Sequence, residues 1–174
     1  AGVPKPRLYI VPQDAPNAFA TGRNPEHGVI AVTQGIMRLL PPEQLRGVLA
    51  HEMAHIANRD ILVQTVAGVI ASAITALANM LQWAMIFGGH RDEEGNSTNP
   101  LAALVLMILG PIAASLIQMA ISRRREYMAD AAGASYCQDP MALAHALNNL
   151  DAYSRHIPMQ ANPATENMFI VNPL

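Results

Sequence analysis

The sequence is poor in cysteine, charge and aromatics. A single cysteine, Cys137, in 174 residues excludes an intrachain disulfide framework, and a reducing compartment is the simplest reading. Cys137 itself reads as a small buried apolar residue, since no histidine adjoins it in the chain to activate a nucleophile. Charged residues make up 14% of the chain, where about a quarter is usual. The formal net charge of −2 argues against nucleic acid as a partner, because phosphate binding needs a clustered excess of Lys and Arg. No signal peptide, internal repeat or low-complexity tract is visible. Both ends, AGVPKPRLYIVP and FIVNPL, read as cuts in a longer protein.

What is present begins with short β-type runs. Residues 7–12, 17–21 and 28–33 are rich in β-branched, aromatic and small residues and are punctuated by Pro, Asn and Gly. They predict a small sheet with antiparallel pairs, because the connections are short. A short helix, QGIMRLL, follows. Pro41 and Pro42 then open a helical pattern that runs to Asp60, with Leu45, Leu49, Met53 and Ile56 at core-facing spacing. Further helices are expected through SRRREYMADAAGASY and over residues 141–153. The tail from Ser154 to Leu174 reads as irregular, with FIV a candidate strand.

The chemistry lies in His51-Glu52-Met53-Ala54-His55, an HExxH string. On a helix, residues four apart are separated by about 40° around the axis, so the two imidazoles can converge on one ion. Glu52 lies beside them, placed to take a proton from water rather than to bind metal. A catalytic zinc needs a third protein ligand, and Glu126 is the best candidate. Asp130 shares its helix face and can accept the free N–H of a ligand histidine, His51 being the expected one. HExxH alone also occurs by chance, and Glu126 and Asp130 alone could be surface partners of Arg123, Arg124 or Arg125. The combination favours the metal site. His27 and His90 read as solvated, His145 as structural, and none of these, nor His156, has a ligand partner at helical spacing.

NAFATG, VTQGIMRLL, PPEQLRGVLAHEMAHIANRD and ISRRREYMAD, in that order, resemble the HtpX family of membrane-bound zinc metalloproteases, relatives of the CAAX prenyl protease. The resemblance runs from about Pro6 to Leu174. It implies an α+β, zincin-like (gluzincin) fold: a mostly helical catalytic domain over 1–174, with a small sheet before the HExxH helix. It implies one zinc ion (Zn2+) held by His51, His55 and Glu126, with Glu52 as base. It implies ATP-independent cleavage of damaged or misassembled membrane proteins as stress-response quality control, in the bacterial inner membrane with the active site facing the cytoplasm. The peptide substrate is expected to add a strand along Asn17, Ala18, Phe19, Ala20 and Thr21, which the family places near the cleft. The family pattern starts with two transmembrane helices upstream and continues past Leu174.

Residues 61–89 and 95–122 carry no charged side chain, and either stretch is long enough to cross a lipid bilayer. Together they predict an apolar helical hairpin over 61–122, between the helices that carry the zinc ligands. Gly68 and Ser72 offer a small-residue packing face, and Gly110-Pro111 a kink. Arg59 and Arg123–Arg125 flank the stretches on the metal side, whereas the connecting loop sets Arg91 against Asp92, Glu93 and Glu94. The positive-inside rule then puts the metal site in the cytoplasm. A hairpin buried in a soluble protein or oligomer is the alternative. In function, the alternatives are a membrane sensor that cuts one partner and a non-catalytic zinc scaffold; retention of Glu52 argues against the scaffold.

Overall fold

The computed structural model describes residues 2–87 and 100–154. The expected FIV strand, His90 and His156 lie outside them. The chain forms two compact units, one of residues 1–62 and 125–174 and one of residues 63–124.

In the first unit, strands β1 (Arg7–Val11), β2 (Ala18–Thr21) and β3 (Val29–Thr33) form one sheet of order β1-β3-β2. The sheet is mixed, not purely antiparallel. β2 pairs antiparallel with β3, Ala18 opposite Val32, while β1 lies parallel on the other side, Arg7 opposite Val29. β2 occupies the antiparallel place beside β3, so β1 must take the far edge and run the same way. Leu8, Tyr9 and Ile10 of β1 are exposed; β3 is the central, buried strand.

Helix α1 (Gln34–Leu39) starts from Thr33, whose hydroxyl accepts the Ile36 N–H and caps the helix. Helix α2 (Pro42–Ala57) opens with Pro42 in its first turn, where the missing N–H costs nothing. Helix α5 (Pro140–Ser154) lies across it so closely that a Cβ on Gly47 would sit 2.6 Å from the Leu143 nitrogen. Ile30, Val32, Ile36, Val48, Ile56, Leu143 and Leu150 share one core, with Leu45, Leu49 and Met53 packed partly buried against it. His145, expected to be structural, is exposed instead. The core face of α5 is Ala142, Leu143, Ala146 and Leu150, which leaves position 145 toward solvent.

The helical pattern expected to run unbroken to Asp60 is interrupted. α2 ends at Ala57, Asn58 caps it, and Arg59 takes the left-handed conformation at φ 57°. Helix α3 then starts afresh at Asp60 and runs to Phe87. Helix α4 (Pro100–Cys137) joins the second apolar stretch and the Glu126 segment in one helix that continues through Pro111.

In the second unit, a Cβ on Gly110 would meet Ile74 at 3.6 Å, an ordinary packing contact, whereas Gly68 meets nothing within 4 Å. The packing expected at Gly68 is therefore not formed among the described residues. Asp60–Trp83 is the one stretch among them long and apolar enough to cross a membrane, and little of it is buried.

Candidate metal centre

α2 carries the HExxH residues on its inner face, with His51 and Glu52 buried. The rings of His51 and His55 meet edge to face at 88°, centroids 4.6 Å apart, and their Nε2 atoms stand 3.0 Å from each other. α4 returns to the first unit with Glu126, whose Oε2 lies 3.6 Å from His51 Nε2 and 3.6 Å from His55 Nε2. A residue 71 positions after His55 thus completes a three-donor cluster.

The spacing suits an ion. In a tetrahedral site with bonds of about 2.0–2.2 Å, neighbouring ligand atoms lie roughly 3.4 Å apart, and the three separations bracket that value. Electrostatics agree. Burial alone would lower the His51 pKa, but the Glu126 carboxylate, with the charges of Glu52 and Asp130, outweighs it and raises the imidazole above its usual value. Glu126 is held below the usual carboxylate range, first by His51, against the opposing effect of its own burial. Two imidazoles and a carboxylate converging on one point call for a positive charge between them, which either a proton or a metal supplies. Two imidazole nitrogens and one carboxylate oxygen are the donor types zinc takes in hydrolytic sites.

Behind the donors stand two carboxylates. Asp130 Oδ1 is 2.9 Å from His51 Nδ1, in contact but off the hydrogen-bond axis, so that buried nitrogen has no aligned partner. Asp60 Oδ2 lies 2.7 Å from His55 Nδ1 in a formed hydrogen bond. The sequence reading singled out Asp130 and missed Asp60. The only available signal was an acid close after the HExxH string, at a spacing that an unbroken helix would have turned away.

Glu52 is buried beside the cluster. Burial pushes its carboxyl pKa up, partly countered by His51 and His55 and by a hydrogen bond from the Ala20 backbone N–H. That bond brings β2 to the site. Asn17 O accepts the Thr33 N–H, so by strand alternation the backbone groups of Ala18 and Ala20 face away from β3. Asn17 is buried, and its Oδ1 accepts the Ala18 N–H. Of the five residues expected to meet substrate, Asn17 thus fixes the strand and Ala20 touches Glu52, while Phe19 and Thr21 are half-buried within the sheet. His27, exposed beside Asn24 and Arg23, takes no part.

A family model described as peptidase family M48 matches residues 1–167. A protease HtpX homolog of Desulfatibacillum aliphaticivorans is 57% identical over 175 residues, covering 100% of this chain and 56% of that protein. Homologs of the same name from Persephonella marina and Aquifex aeolicus are 55% and 52% identical, again over 100% of this chain and over 62% and 59% of their own lengths. The chain therefore spans little more than half the length of the curated relatives it matches. No solved structure matches. With a family model matching nearly the whole chain, the chain belongs to peptidase family M48.

Proposed function

We propose that this chain is the metal-holding part of a zinc-dependent endopeptidase that hydrolyses peptide bonds of damaged or misfolded membrane proteins, without a covalent intermediate. The observation that carries the reading is the convergence of His51, His55 and Glu126 beside a buried Glu52, with the edge of β2 alongside. When bound, zinc polarises a peptide carbonyl and acidifies water. His51, His55 and Glu126 hold it, and Asp130 steadies the His51 ring. Glu52 takes a proton from water and passes it to the leaving amine; its burial keeps it basic enough for that transfer. The edge of β2 orients an extended peptide, with the outward carbonyl of the partly exposed Ala20 accepting one of its N–H groups.

Membrane proteins as substrates fit a chain that carries its own apolar helices. α3 and α4 carry the apolar stretches, and Leu62, Val66, Val69, Ile70, Leu109, Ile112, Leu116 and Ile117 are exposed on them. A lipid bilayer is the medium that would cover these side chains, and the arginines flanking the stretches favour a metal centre on the cytoplasmic side of the bacterial inner membrane.

The test is cleavage of casein in detergent by the wild-type chain and by Glu52→Gln. Cleavage should be abolished by a chelator, restored by zinc, and lost in Glu52→Gln by at least about 100-fold with zinc still bound. Equal cleavage by Glu52→Gln would remove that residue from the chemistry. Zinc binding without cleavage, even in the longer protein of which relatives are examples, would favour a scaffold or sensor.

A further inference from the structure

The break between α2 and α3 has a consequence for the metal centre. On an unbroken helix, a residue five positions after His55 would sit about 140° away around the axis, out of reach of the ring. Here Asn58 closes α2 by donating to Ala54 O at 2.9 Å, and Arg59 turns the chain through the left-handed region, donating to Ile56 O at 3.1 Å. Asp60 is thereby delivered to the first turn of α3 with its carboxylate directed back at His55.

We infer that Asp60 is the positioning residue of the metal centre, holding His55 in the tautomer and ring orientation that present Nε2 to the ion. This rests on the reading of His51, His55 and Glu126 as ligands, and adds to it a residue that the sequence pattern did not supply. Asp60 Oδ2 lies 2.7 Å from His55 Nδ1, and the Asp60 side chain is only 8% exposed. A carboxylate only accepts, so Nδ1 carries the proton and the Nε2 lone pair is left for the metal. The N-terminal end of α3 favours the negative charge at that position. The Asp60 backbone is fixed as well: its carbonyl accepts the Arg125 Nη1 hydrogen at 3.1 Å. Arg125 immediately precedes Glu126, so one residue joins the helix of the second histidine to the helix of the third donor. The contrast with Asp130 is informative, because Asp130 is half exposed and off-axis, whereas Asp60 is buried and aligned. Asp60 is the better-formed of the two supports.

The experiment measures zinc affinity of the whole chain in detergent, by competition with a chromophoric chelator, for wild type, Asp60→Ala, Asp60→Asn, His55→Ala and Glu43→Gln. The visible spectrum of each cobalt-loaded protein is recorded alongside. Asp60→Ala should bind zinc about 10–100-fold more weakly, with altered cobalt bands, while its chelated form unfolds as cooperatively as wild type. Asp60→Asn keeps an acceptor oxygen but not the charge and should fall between the two. Glu43→Gln, which removes an exposed charge elsewhere on α2, should stay within about twofold of wild type. If Asp60→Ala does not fold, the near-isosteric Asp60→Asn decides. Wild-type affinity and cobalt bands in the folded Asp60 variants, with binding lost in His55→Ala, would overturn the role of Asp60 and leave the metal centre standing. A wild-type chain that binds no zinc would overturn both.

Discussion

Thr33 shows how much a single hydroxyl carries near this site. Its Oγ1 accepts the Asn17 N–H at 2.8 Å and the Ile36 N–H at 3.2 Å, and donates to Asn17 O at 3.1 Å. It therefore ties β2 to β3 and caps α1 at once. Thr33→Val keeps the shape and deletes these bonds, leaving two buried donors without their acceptor. The expected loss is about 2–3 kcal/mol of stability, from a lost cap of about 1 kcal/mol and the cost of an unpaired buried N–H. Thr33→Ser, which keeps the hydroxyl, should lose about 1 kcal/mol or less. Urea unfolding in detergent distinguishes them, and a smaller loss in Thr33→Val than in Thr33→Ser would show that the methyl group, not the hydroxyl, matters. The HExxH pair was legible in the sequence because helical geometry alone brings positions four apart together. The work of Thr33 was not, since a hydroxyl joining a strand to the next helix leaves no periodic trace. Asp60 was hidden for a related reason: the left-handed turn at Arg59, a conformation that non-glycine residues seldom adopt, is not readable from composition.

At the scale of elements, the strands were legible from β-branched runs and turn residues, and their lengths were close. The parallel pairing of β1 was not, because nothing local distinguishes a strand that returns beside its neighbour from one that skips over it. Helix packing was also silent in the pattern, and it rests on glycines. A Cβ at Gly47 would meet the α5 backbone at 2.6–3.0 Å, and one at Gly133 would meet the His51 Cα and N at 3.0 Å. Neither partner is a flexible side chain that could swing aside. The two sites should nevertheless behave differently. Gly47→Ala forces α5 off α2 and should cost about 1–3 kcal/mol, net of the better helix propensity of alanine, with zinc affinity of the folded protein unchanged. Gly133→Ala pushes α4 against the first turn of the metal motif and displaces Glu126 and Asp130, so zinc should bind several-fold more weakly. Calorimetric titration of both variants with zinc checks this, and a Gly133→Ala protein with wild-type affinity would refute the close-packing account of the centre.

The whole molecule presents an imbalance that its first unit does not explain. That unit has a buried core around β3, α2 and α5, although β1 leaves Leu8, Tyr9 and Ile10 exposed, whereas the helices of the second unit expose most of their large apolar side chains. Val63, Val66, Val69, Ile70, Leu77, Met80 and Trp83 of α3 are each more than a third exposed, and only 11% of the apolar window is buried. The core helix of a soluble protein would be mostly covered. At about 1 kcal/mol for each large side chain left half in water, the seven together would forfeit on the order of a typical domain's net stability. A bilayer removes that cost without asking any further protein surface to cover the helix, and the helix satisfies its own backbone hydrogen bonds there. The expected outcome is that the chain, expressed in bacteria, stays with the membrane fraction through alkaline carbonate extraction and is released only by detergent. Ile70→Arg, in the middle of the span, should reduce membrane retention, because a charge at the centre of an inserted helix costs about 2.5–3.5 kcal/mol. The same substitution on a helix lying against another protein would leave carbonate resistance unchanged. Release of the wild-type chain by carbonate would sink the membrane placement while leaving the metal centre, which lies wholly within the first unit, untouched.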